Sequence, residues 1–461
     1  MALPGLPGGR PATPGLRLGD MPRSDARGVG RLRLPEGIIV SEERTRGILA
    51  HLARQEAPVI GFDTETVGWD PRAKVTPYDN ARCAVVSLSD GVDAWAVSGT
   101  LLGVLRPLFE RGDVRWRGVN LKFDAAVLWN HGIDLRGRFE DCRIMSKLRN
   151  VVDPQIHGLK QLAKRFLGIQ MTEFKDVAGG RGGRRTTTED LLVSHPLALA
   201  EYARADARIP ILLGDHLAED LRRLPWTDDR SMWEFFEEFE EPFTHVLLGM
   251  ERRGVNVDQE RLAAIAKVIE QECSDLEDAL DAVAGREINS RSPEQLCALF
   301  FGRLGHVPTR FSEKKFVCGQ CGRMCTSRTG RRCPAHPGAD MSPAPSLDRF
   351  ALEDLSSVST EAAMLMRYRK VDQYRKAFVP ALSKPCADGK VRCTYVQFGS
   401  RSARLSANAP NLLNIPARAD DPEDENPMER GFGFRGLFVP DPGYVFIVAD
   451  ESQVELRLGA H

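Results

Sequence analysis

The sequence has no apolar run near the ~20 residues that a membrane-spanning helix needs. It also has little net charge: 63 Lys and Arg against 64 Asp and Glu give −1. The whole chain is therefore not a polycation, and a nucleic-acid surface must come from local clustering. Residues 1–30 lack the apolar segment of a signal peptide. These absences argue against membrane-spanning and secreted proteins.

The first 35 residues differ from the rest of the chain in composition. Residues 1–35 are rich in Pro, Gly and Arg and cannot bury a core, so we predict a disordered basic tail. The composition of the whole chain, with 42% hydrophobic and 28% charged residues, is that of an ordinary globular protein. A length of 461 residues suggests about three domains.

Apolar periodicity divides the chain into two kinds of region. Residues 36–225 alternate strand and helix patterns, which predicts an α/β domain. Within it, Pro210 is expected to break or kink a long helix. From about residue 230 the pattern turns helical, with a long amphipathic helix that Gly285 ends.

Carboxylates stand out in the first region. Asp63 and Glu65, in FDTETVGWD, are two apart at a strand end and point to one face. Asp124 follows in NLKFD near a helix start, and Tyr202 and Asp206 are four apart on one helix face. Such oxygen ligands favour Mg²⁺ or Mn²⁺. Two such ions ~3.5–4 Å apart can activate a water for phosphodiester cleavage. The alternative is that these acids, among 64, are solvated surface residues.

These motifs, in this order, resemble the 3′→5′ exonuclease superfamily with four acidic residues, in its tyrosine subclass. The resemblance implies a ribonuclease H-like α/β fold. It also implies that Asp63 bridges two metals and that Glu65 and Asp206 hold the metal that activates water. Asp124 would support the second metal, and Tyr202 would hydrogen-bond the attacking water.

Two further residues of these segments are assigned to DNA by the same resemblance. Asn120 opens the second motif, NLKFD. Trp69 follows the first motif, where relatives place an apolar side chain against the terminal base, and an aromatic ring there can stack on a base. Ordinary packing is the alternative for Trp69.

Three segments of the second half resemble family A DNA polymerases, the bacterial polymerase I group and its phage relatives. They are EEFEEPFTHVLLGMERRGVNVD, SARLSANAPNLLNIP and VADESQVELRLGAH. The resemblance implies a mostly helical thumb over 226–311 and the start of an incomplete α+β palm over 346–461. Arg404 would reach the minor groove at the primer end, where contacts test pairing geometry rather than sequence.

The last segment carries the resemblance to a polymerase site. Asp450 would be the first palm carboxylate that holds the catalytic metals, after a predicted strand at 446–449 and before a predicted helix at 452–461. Glu455 would be the steric gate against a 2′-hydroxyl. The implied DNA or nucleotide contacts are Arg404, Asn411, Asn414, Gln453 and Glu455.

The family's fingers helix and second catalytic Asp would follow His461. We therefore expect a fragment from a split gene, an intron or intein junction, or an incomplete reading frame, and prefer a phage source. Alone, the chain should not extend a primer, and it should be poorly soluble or locally disordered beyond about residue 430.

Residues 312–345 form a Cys-rich basic insert, KKFVCGQCGRMCTSRTGRRCPAHPG among them. Without a secretory signal we expect no disulfides. Cys318, Cys321, Cys333 and His336 have the paired spacing of a structural zinc site. Cys325 is a competing ligand, and free thiols or a degenerate site are the alternative. The basic side chains would contact DNA phosphate or form a solvated loop.

We thus predict the N-terminal portion of a family A DNA polymerase with a proofreading 3′→5′ exonuclease. Expected partners are primer-template DNA, single-stranded 3′ ends and a possible C-terminal polymerase polypeptide, with deoxynucleotides only once that segment is present. The expected location is the cytoplasm of a bacterial or phage-infected cell. The alternatives are a stand-alone exonuclease on RNA or short oligonucleotides, and an inactive DNA-binding accessory fragment.

Overall fold

A computed structural model describes residues 37–70, 75–150, 157–177, 186–326, 332–416 and 431–460. The predicted tail, 1–35, lies outside the described residues. The chain forms two compact units. The first unit extends to Gly254 and takes in 386–388 and 392–413; the second comprises 255–385, 389–391 and the residues from 414 onward. The predicted domain boundaries remain predictions.

The described strands, in chain order, are β1 Val59–Val67, β2 Arg82–Ser89, β3 Ala94–Ser98, β4 Arg115–Gly118, β5 Arg138–Asp141, β6 Val255–Val257, β7 Phe311–Cys318, β8 Met324–Thr326, β9 Met341–Pro345, β10 Lys390–Val391, β11 Thr394–Val396, β12 Ser406–Asn408 and β13 Phe438–Val439.

The described α-helices are α1 Glu42–Ala53, α2 Pro77–Asn80, α3 Leu102–Phe109, α4 Leu121–Trp129, α5 Cys142–Arg149, α6 Leu159–Leu162, α7 Phe174–Val177, α8 Thr188–Ser194, α9 Pro196–Arg223, α10 Met232–Phe235, α11 Glu241–Arg253, α12 Gln259–Ala284, α13 Pro293–Cys297, α14 Arg349–Ser356, α15 Thr360–Gln373, α16 Val379–Leu382 and α17 Val454–Ala460. None of them is both long enough and apolar enough to cross a membrane.

A five-stranded sheet in the order β3-β2-β1-β4-β5 forms the centre of the first unit. β1 pairs antiparallel with β2 and parallel with β4, which in turn runs parallel to β5. Ile60, Phe62 and Trp116 of the central strands are fully or almost fully buried, together with Phe109. The predicted mixture of helices and sheet is confirmed for this region.

The long helix α9 packs unusually close to the central strand. A Cβ atom on Gly61 of β1 would lie 1.9 Å from the carbonyl oxygen of Ala207 in α9, so only glycine fits there. Close approach of two backbones is a common reason for glycine in a strand. Because of this contact, the first half of β1 and the middle of α9 lie side by side.

Pro210 does not break α9, so that part of the prediction is wrong. The helix runs from Pro196 to Arg223 with Pro210 inside it. The carbonyl oxygens of Pro210 and Ile211 accept hydrogen bonds from other elements. Arg117 Nη1 donates to Ile211 O at 2.8 Å, and Cys142 Sγ donates to Pro210 O at 3.7 Å. Burial of Ile209, Pro210 and Leu213 holds both halves of the helix in the core.

The hairpin of β11 and β12 belongs to the first unit. Glu251 accepts from the backbone N–H of Tyr395 at 2.7 Å and pairs with Lys122 in the interior. Lys122 Nζ also donates to the carbonyl oxygen of Tyr395 at 2.6 Å. Lys147 Nζ donates to the carbonyl oxygen of Phe398 at 2.6 Å. Buried charged groups that are paired in this way fix the hairpin at one place.

Helices dominate the second unit. α12 packs against α15, and α15 against α14. As predicted, α12 ends at Gly285, which takes a left-handed conformation with φ +65°. Two small sheets complete this unit, one in the order β10-β6-β13 and one in the order β8-β7-β9.

The strand predicted at 446–449 for the complete palm is not formed in this chain. None of these residues lies in a strand, and Ile447 and Val448 are 90% and 92% exposed. A strand exists only through hydrogen bonds to a partner strand, and no described residue pairs with this stretch. The predicted helix at 452–461 is observed as α17, Val454–Ala460, and His461 lies outside the described residues.

Candidate active site

Three of the predicted carboxylates meet where β1 lies against α9. Asp63 and Glu65 project from the same face of β1, and Asp206 projects from α9. One oxygen of each carboxylate lies within 4.8 Å of one oxygen of each of the other two. The contact of Gly61 with Ala207 explains how a strand and a helix bring these groups together. The group has the all-oxygen chemistry that Mg²⁺ and Mn²⁺ prefer.

Burial and mutual repulsion make these carboxyl groups hard to ionise. Burial, then the charges of Asp124, Glu65 and Asp206, raise the pKa of Asp63 well above its ordinary value. Burial and the charge of Asp206 raise the pKa of Glu65 to about 8. The pKa of Asp206 is raised too, mainly by burial, although Lys160 opposes the shift. Such a site gains stability from a bound cation.

A lysine that the sequence analysis missed supplies one positive charge. Lys160 Nζ lies 3.0 Å from Asp206 Oδ2 and donates to the Tyr202 hydroxyl at 2.7 Å. It also lies 4.3 Å from the centre of the Tyr202 ring. No spacing motif links Lys160 in α6 to residues more than forty positions later, so no local sequence signal could have identified it among 63 Lys and Arg.

Asp124 lies next to the group without belonging to it. It is buried in the first turn of α4, and its Oδ1 accepts from the backbone N–H of Thr64 at 3.0 Å and from Thr64 Oγ1 at 2.6 Å. Burial raises the pKa of Asp124 to about 7, and the hydrogen bonds from Thr64 limit the rise. Its charge still raises the pKa of Asp63, so the two carboxylates interact.

Tyr202 is held as a neutral phenol. Its hydroxyl hydrogen-bonds to Asp206, and its ring meets Phe174 edge-on, with 5.7 Å between the ring centres. Burial and the nearby carboxylates raise the pKa of Tyr202 far above its ordinary value. A phenol that stays protonated can donate a hydrogen bond but cannot act as a base. A cleft of about 380 Å³ opens beside Tyr202 and Asp206, with Gln170 and Thr172 in its wall.

The two predicted DNA contacts in this region have protein partners. The Trp69 ring packs against Phe123, with 5.0 Å between ring centres, and its Nε1 donates to the carbonyl oxygen of Val75 at 3.2 Å. Asn120 has a left-handed backbone, φ 72°, just before α4, and its Oδ1 accepts from Arg143 Nη1 at 3.2 Å. Their DNA contacts remain predictions.

The residues assigned to the polymerase site are divided between the two units. Arg404 is exposed, and its backbone N–H donates to Ser400 Oγ at 3.0 Å. Asn411 has a buried Oδ1 that no hydrogen bond within the described residues satisfies. Arg404 and Asn411 belong to the first unit, whereas Asn414 belongs to the second.

The carboxylates of the last segment face solvent. Asp450, Gln453 and Glu455 are all exposed, around the start of α17. Among the described residues, Asp450 has no group of metal-ligating side chains around it. A polymerase role for these residues stays a prediction.

The predicted cysteine site comes together in the second unit. Ligand atoms of Cys318, Cys321, Cys333 and His336 all lie within 4.8 Å of one another. The distance between the sulfurs of Cys321 and Cys333 is 3.7 Å, and His336 Nδ1 lies 3.9 Å from the sulfurs of Cys318 and Cys333. Cys325 is buried beside this group, with its thiol directed at the carbonyl oxygen of Arg323 at 3.8 Å.

Hydrogen bonds from backbone N–H groups affect two of these thiols. They lower the pKa of Cys318, first through the N–H of Cys321 and then through that of Gln320. Burial acts in the opposite direction on Cys333, yet N–H donors at His336 and Ala335 lower its pKa overall. A thiolate, the form that binds metal, is thereby favoured at both positions.

Comparison with known proteins assigns the two halves separately. Residues 39–222 match the family model described as 3'-5' exonuclease, and residues 332–461 match the model described as DNA polymerase family A. The first match contains the carboxylate site, and the second contains the Asp450 segment.

Among curated relatives, DNA polymerase I of Chloroflexus aurantiacus is 28% identical over 423 residues, covering 88% of this chain and 39% of the relative. DNA polymerase I of Pseudomonas aeruginosa is 28% identical over 420 residues, covering 88% of this chain and 41% of the relative. DNA polymerase I of Deinococcus radiodurans is 32% identical over 260 residues, covering 56% of this chain and 23% of the relative. The chain thus spans about two fifths of the length of the first two relatives.

A solved structure, the POL domain of Pol1 from M. smegmatis in complex with DNA primer-template and dNTP, has a similar fold. The TM-score is 0.65 at 19% identity, and the match covers 92% of this chain and 62% of that one. The predicted family resemblance is therefore confirmed: residues 332–461 match DNA polymerase family A, and residues 39–222 match a 3'-5' exonuclease domain.

Proposed function

We propose that the carboxylate site hydrolyses phosphodiester bonds at DNA 3′ ends, releasing nucleotides in the 3′→5′ direction. The observation that supports it best is the grouping of Asp63, Glu65 and Asp206 within 4.8 Å. When ionised, these three acids next to one lysine carry an excess of negative charge, which a bound cation would compensate. Oxygen donors in that number fit a divalent cation. Mg²⁺ or Mn²⁺, when bound, would lower the pKa of a water and neutralise charge on the leaving oxygen.

The side chains around this group have separate roles in the proposal. Asp63 would help to hold both cations, and Asp206 and Glu65 would hold the cation that activates the water. Glu65 would also accept a hydrogen bond from that water and so set its direction of attack. The neutral hydroxyl of Tyr202 would hydrogen-bond to the same water, because its bond to Asp206 places it beside the proposed metal ligands. Asp124 would act from beside the group, its Oδ1 held by Thr64.

DNA is the proposed substrate because the same chain carries the polymerase segment at 332–461. A nuclease of this polarity next to a polymerase would remove a misplaced nucleotide from the primer strand. Its place of action would be the cytoplasm, where bacterial or phage DNA is copied. We also propose that the first unit has a ribonuclease H-like arrangement and that residues 226–311 form the polymerase thumb.

In the whole protein, we propose that the polymerase segment takes part in template-directed DNA synthesis. Asp450 would hold catalytic metal, Glu455 would exclude a 2′-hydroxyl, and Arg404 would contact the minor groove of the primer end. Asn411, Asn414 and Gln453 would contact DNA or nucleotide. Primer extension by the whole protein should be lost in Asp450→Ala, and an unchanged rate would reject the assignment.

Release of 3′-labelled nucleotide from single-stranded DNA by the purified chain tests the nuclease. Release should need Mg²⁺ or Mn²⁺, stop with EDTA, and fall to background in Asp206→Ala. Glu219→Gln, an exposed acid on the same helix, is the matched control and should keep the wild-type rate. Faster release from RNA than from DNA of the same sequence would replace the proposal with a stand-alone ribonuclease.

A further inference from the structure

We propose that the sheet of β7, β8 and β9 contains a structural Zn²⁺ ion, bound by the thiolates of Cys318, Cys321 and Cys333 and by Nδ1 of His336. A tetrahedral zinc site with bonds of about 2.3 Å to sulfur has edges of about 3.8 Å between sulfurs. Its edges from sulfur to nitrogen are about 3.6 Å. The measured separations are 3.7 Å for Cys321–Cys333 and 3.9 Å for each of Cys318–His336 and Cys333–His336.

The backbone around the two ligand pairs has the same pattern twice. Backbone N–H groups of Gln320 and Cys321 point at the sulfur of Cys318. Those of Ala335 and His336 point at the sulfur of Cys333. Each pair is closed by a turn, with Gly322 N–H donating to Cys318 O at 2.8 Å and His336 N–H to Cys333 O at 3.2 Å. N–H donors stabilise a thiolate, and oriented second partners of this kind are what metal ligands require.

Besides cysteines, the described strands of this sheet bury only two apolar side chains, Phe316 of β7 and Ala344 of β9. Its buried cluster consists of three cysteines, Cys318, Cys325 and Cys333, with Ala339 and Met341 packed at the edge. β7, β8 and β9 have only eight, three and five residues. A module of this size does not bury enough surface to fold unless a metal or disulfide links it. The proposed zinc ion supplies that link, joining 318–321 to 333–336.

Cys325, also in this cluster, is not a ligand in this proposal. It lies on β8 opposite Phe316 of β7, and its thiol is directed at the carbonyl oxygen of Arg323 at 3.8 Å. It does not come within 4.8 Å of all four proposed ligand atoms. The proposed set is therefore three sulfurs and one nitrogen, although a fourth cysteine is close by.

Elemental analysis of the full chain, purified under reducing conditions, tests the site. We expect about one zinc per chain in the wild type and in Cys325→Ser, and less than half of that in Cys321→Ser and in His336→Ala. Cys386→Ser, a cysteine outside the insert, is a further control. Absence of zinc from the wild type would overturn the proposal, as would loss of zinc in Cys325→Ser but not in Cys321→Ser.

Two further measurements keep the test decisive if a variant fails to fold. Replacing zinc by Co²⁺ in the wild type should give the visible spectrum of a tetrahedral site with thiolate ligands, and an octahedral spectrum contradicts the proposal. A zinc-selective chelator should increase proteolytic cleavage within 312–345 and leave 39–222 intact. A disulfide between Cys321 and Cys333 in the purified chain, found by mass spectrometry without reductant, also contradicts it.

Discussion

The two candidate metal sites differ in what holds their shape. The carboxylate site lies on a five-stranded sheet whose core contains Phe62, Phe109, Trp116 and many aliphatic side chains. The cysteine site lies on a three-stranded sheet with three buried cysteines, whose described strands bury only two further apolar side chains, Phe316 and Ala344. The first can keep its geometry when it contains no metal, because apolar burial of about 25 cal/mol per Å² already stabilises it. The second, under the zinc proposal, would depend on the ion for its fold.

The sites also differ in how their charge is compensated. Carboxylates crowded together oppose folding, and Lys160 reduces that cost at Asp206. Thiols can remain protonated until zinc replaces their protons. We therefore expect metal removal to abolish activity at the first site without unfolding it, and to loosen the chain at the second site. The following experiments separate these two behaviours.

Asp63→Asn should have the largest effect and should act in opposite directions on activity and stability. Loss of a metal ligand removes several kcal/mol of transition-state stabilisation, so nucleotide release should fall by about 10³-fold. The same change removes a carboxylate whose pKa is raised by burial and by its neighbours. The melting temperature in EDTA should therefore rise. Glu43→Gln, an exposed acid in α1, is the control and should change neither quantity.

Stability of the metal-free chain should depend on pH through Glu65 and Asp124. The pKa of Glu65 is raised from 4.5 to about 8, and that of Asp124 from 3.8 to about 7, in both cases mainly by burial. Between these limits the folded chain binds more protons than the unfolded chain. The free energy of unfolding should thus fall as pH rises, between about 3.8 and 7 through Asp124 and between about 4.5 and 8 through Glu65, by up to about 1.4 kcal/mol per pH unit for each group.

Denaturation at pH 5, 6, 7 and 8, with EDTA and with Mg²⁺, measures this dependence. Mg²⁺ binds the ionised carboxylates and should flatten the slope. Glu65→Gln removes one titrating group and should also make the slope in EDTA smaller. A slope that is the same in the wild type and in Glu65→Gln would show that Glu65 does not titrate in this window.

The sequence predicted the parts of this structure that depend on local pattern. Strand β1 and the end of α12 at Gly285 follow from periodicity and a glycine with left-handed backbone. Asp63, Glu65 and Asp206 could be grouped because strand and helix periods put acids on defined faces, and the exonuclease resemblance linked the two elements. The spacing of Cys318-x-x-Cys321 and Cys333-x-x-His336 likewise predicted which residues would meet.

Features that depend on distant contacts could not be predicted. The helix continues through Pro210 because residues on both sides of it are buried in the core. The apolar run 446–449 is no strand, since a strand depends on its partner rather than on its composition. The contacts of Lys160 and the hydrogen bonds from Thr64 to Asp124 could be identified only from the folded structure. Likewise, only the positions of the thiols distinguished Cys325 from the proposed ligands.

Tyr202→Phe should have a smaller effect than loss of a carboxylate. It removes the hydroxyl that bonds to Asp206 and Lys160 but removes no metal ligand. One hydrogen bond to a charged group is worth about 1.5–3 kcal/mol, so the maximal rate should fall by about 10- to 100-fold. The Mg²⁺ concentration for half-maximal rate should stay within about twofold of the wild type. Loss of activity as complete as in Asp63→Asn would mean that the phenol does more than position a ligand.

Lys160→Met should have the smallest effect and tests whether this lysine acts as a counterion of the metal-free site. Its ammonium lies 3.0 Å from Asp206 Oδ2 and so competes with a bound cation. Without it, the Mg²⁺ concentration for half-maximal rate should fall by about fivefold, because the remaining site is more negative. The melting temperature in EDTA should fall for the same reason, and Mg²⁺ should restore it. Lys164→Met, an exposed lysine four residues later, is the control.

If Lys160→Met instead raises the Mg²⁺ requirement, the lysine helps to bind metal or DNA and is not a counterion. The carboxylate site would then, like the cysteine site, have no counterion of its own.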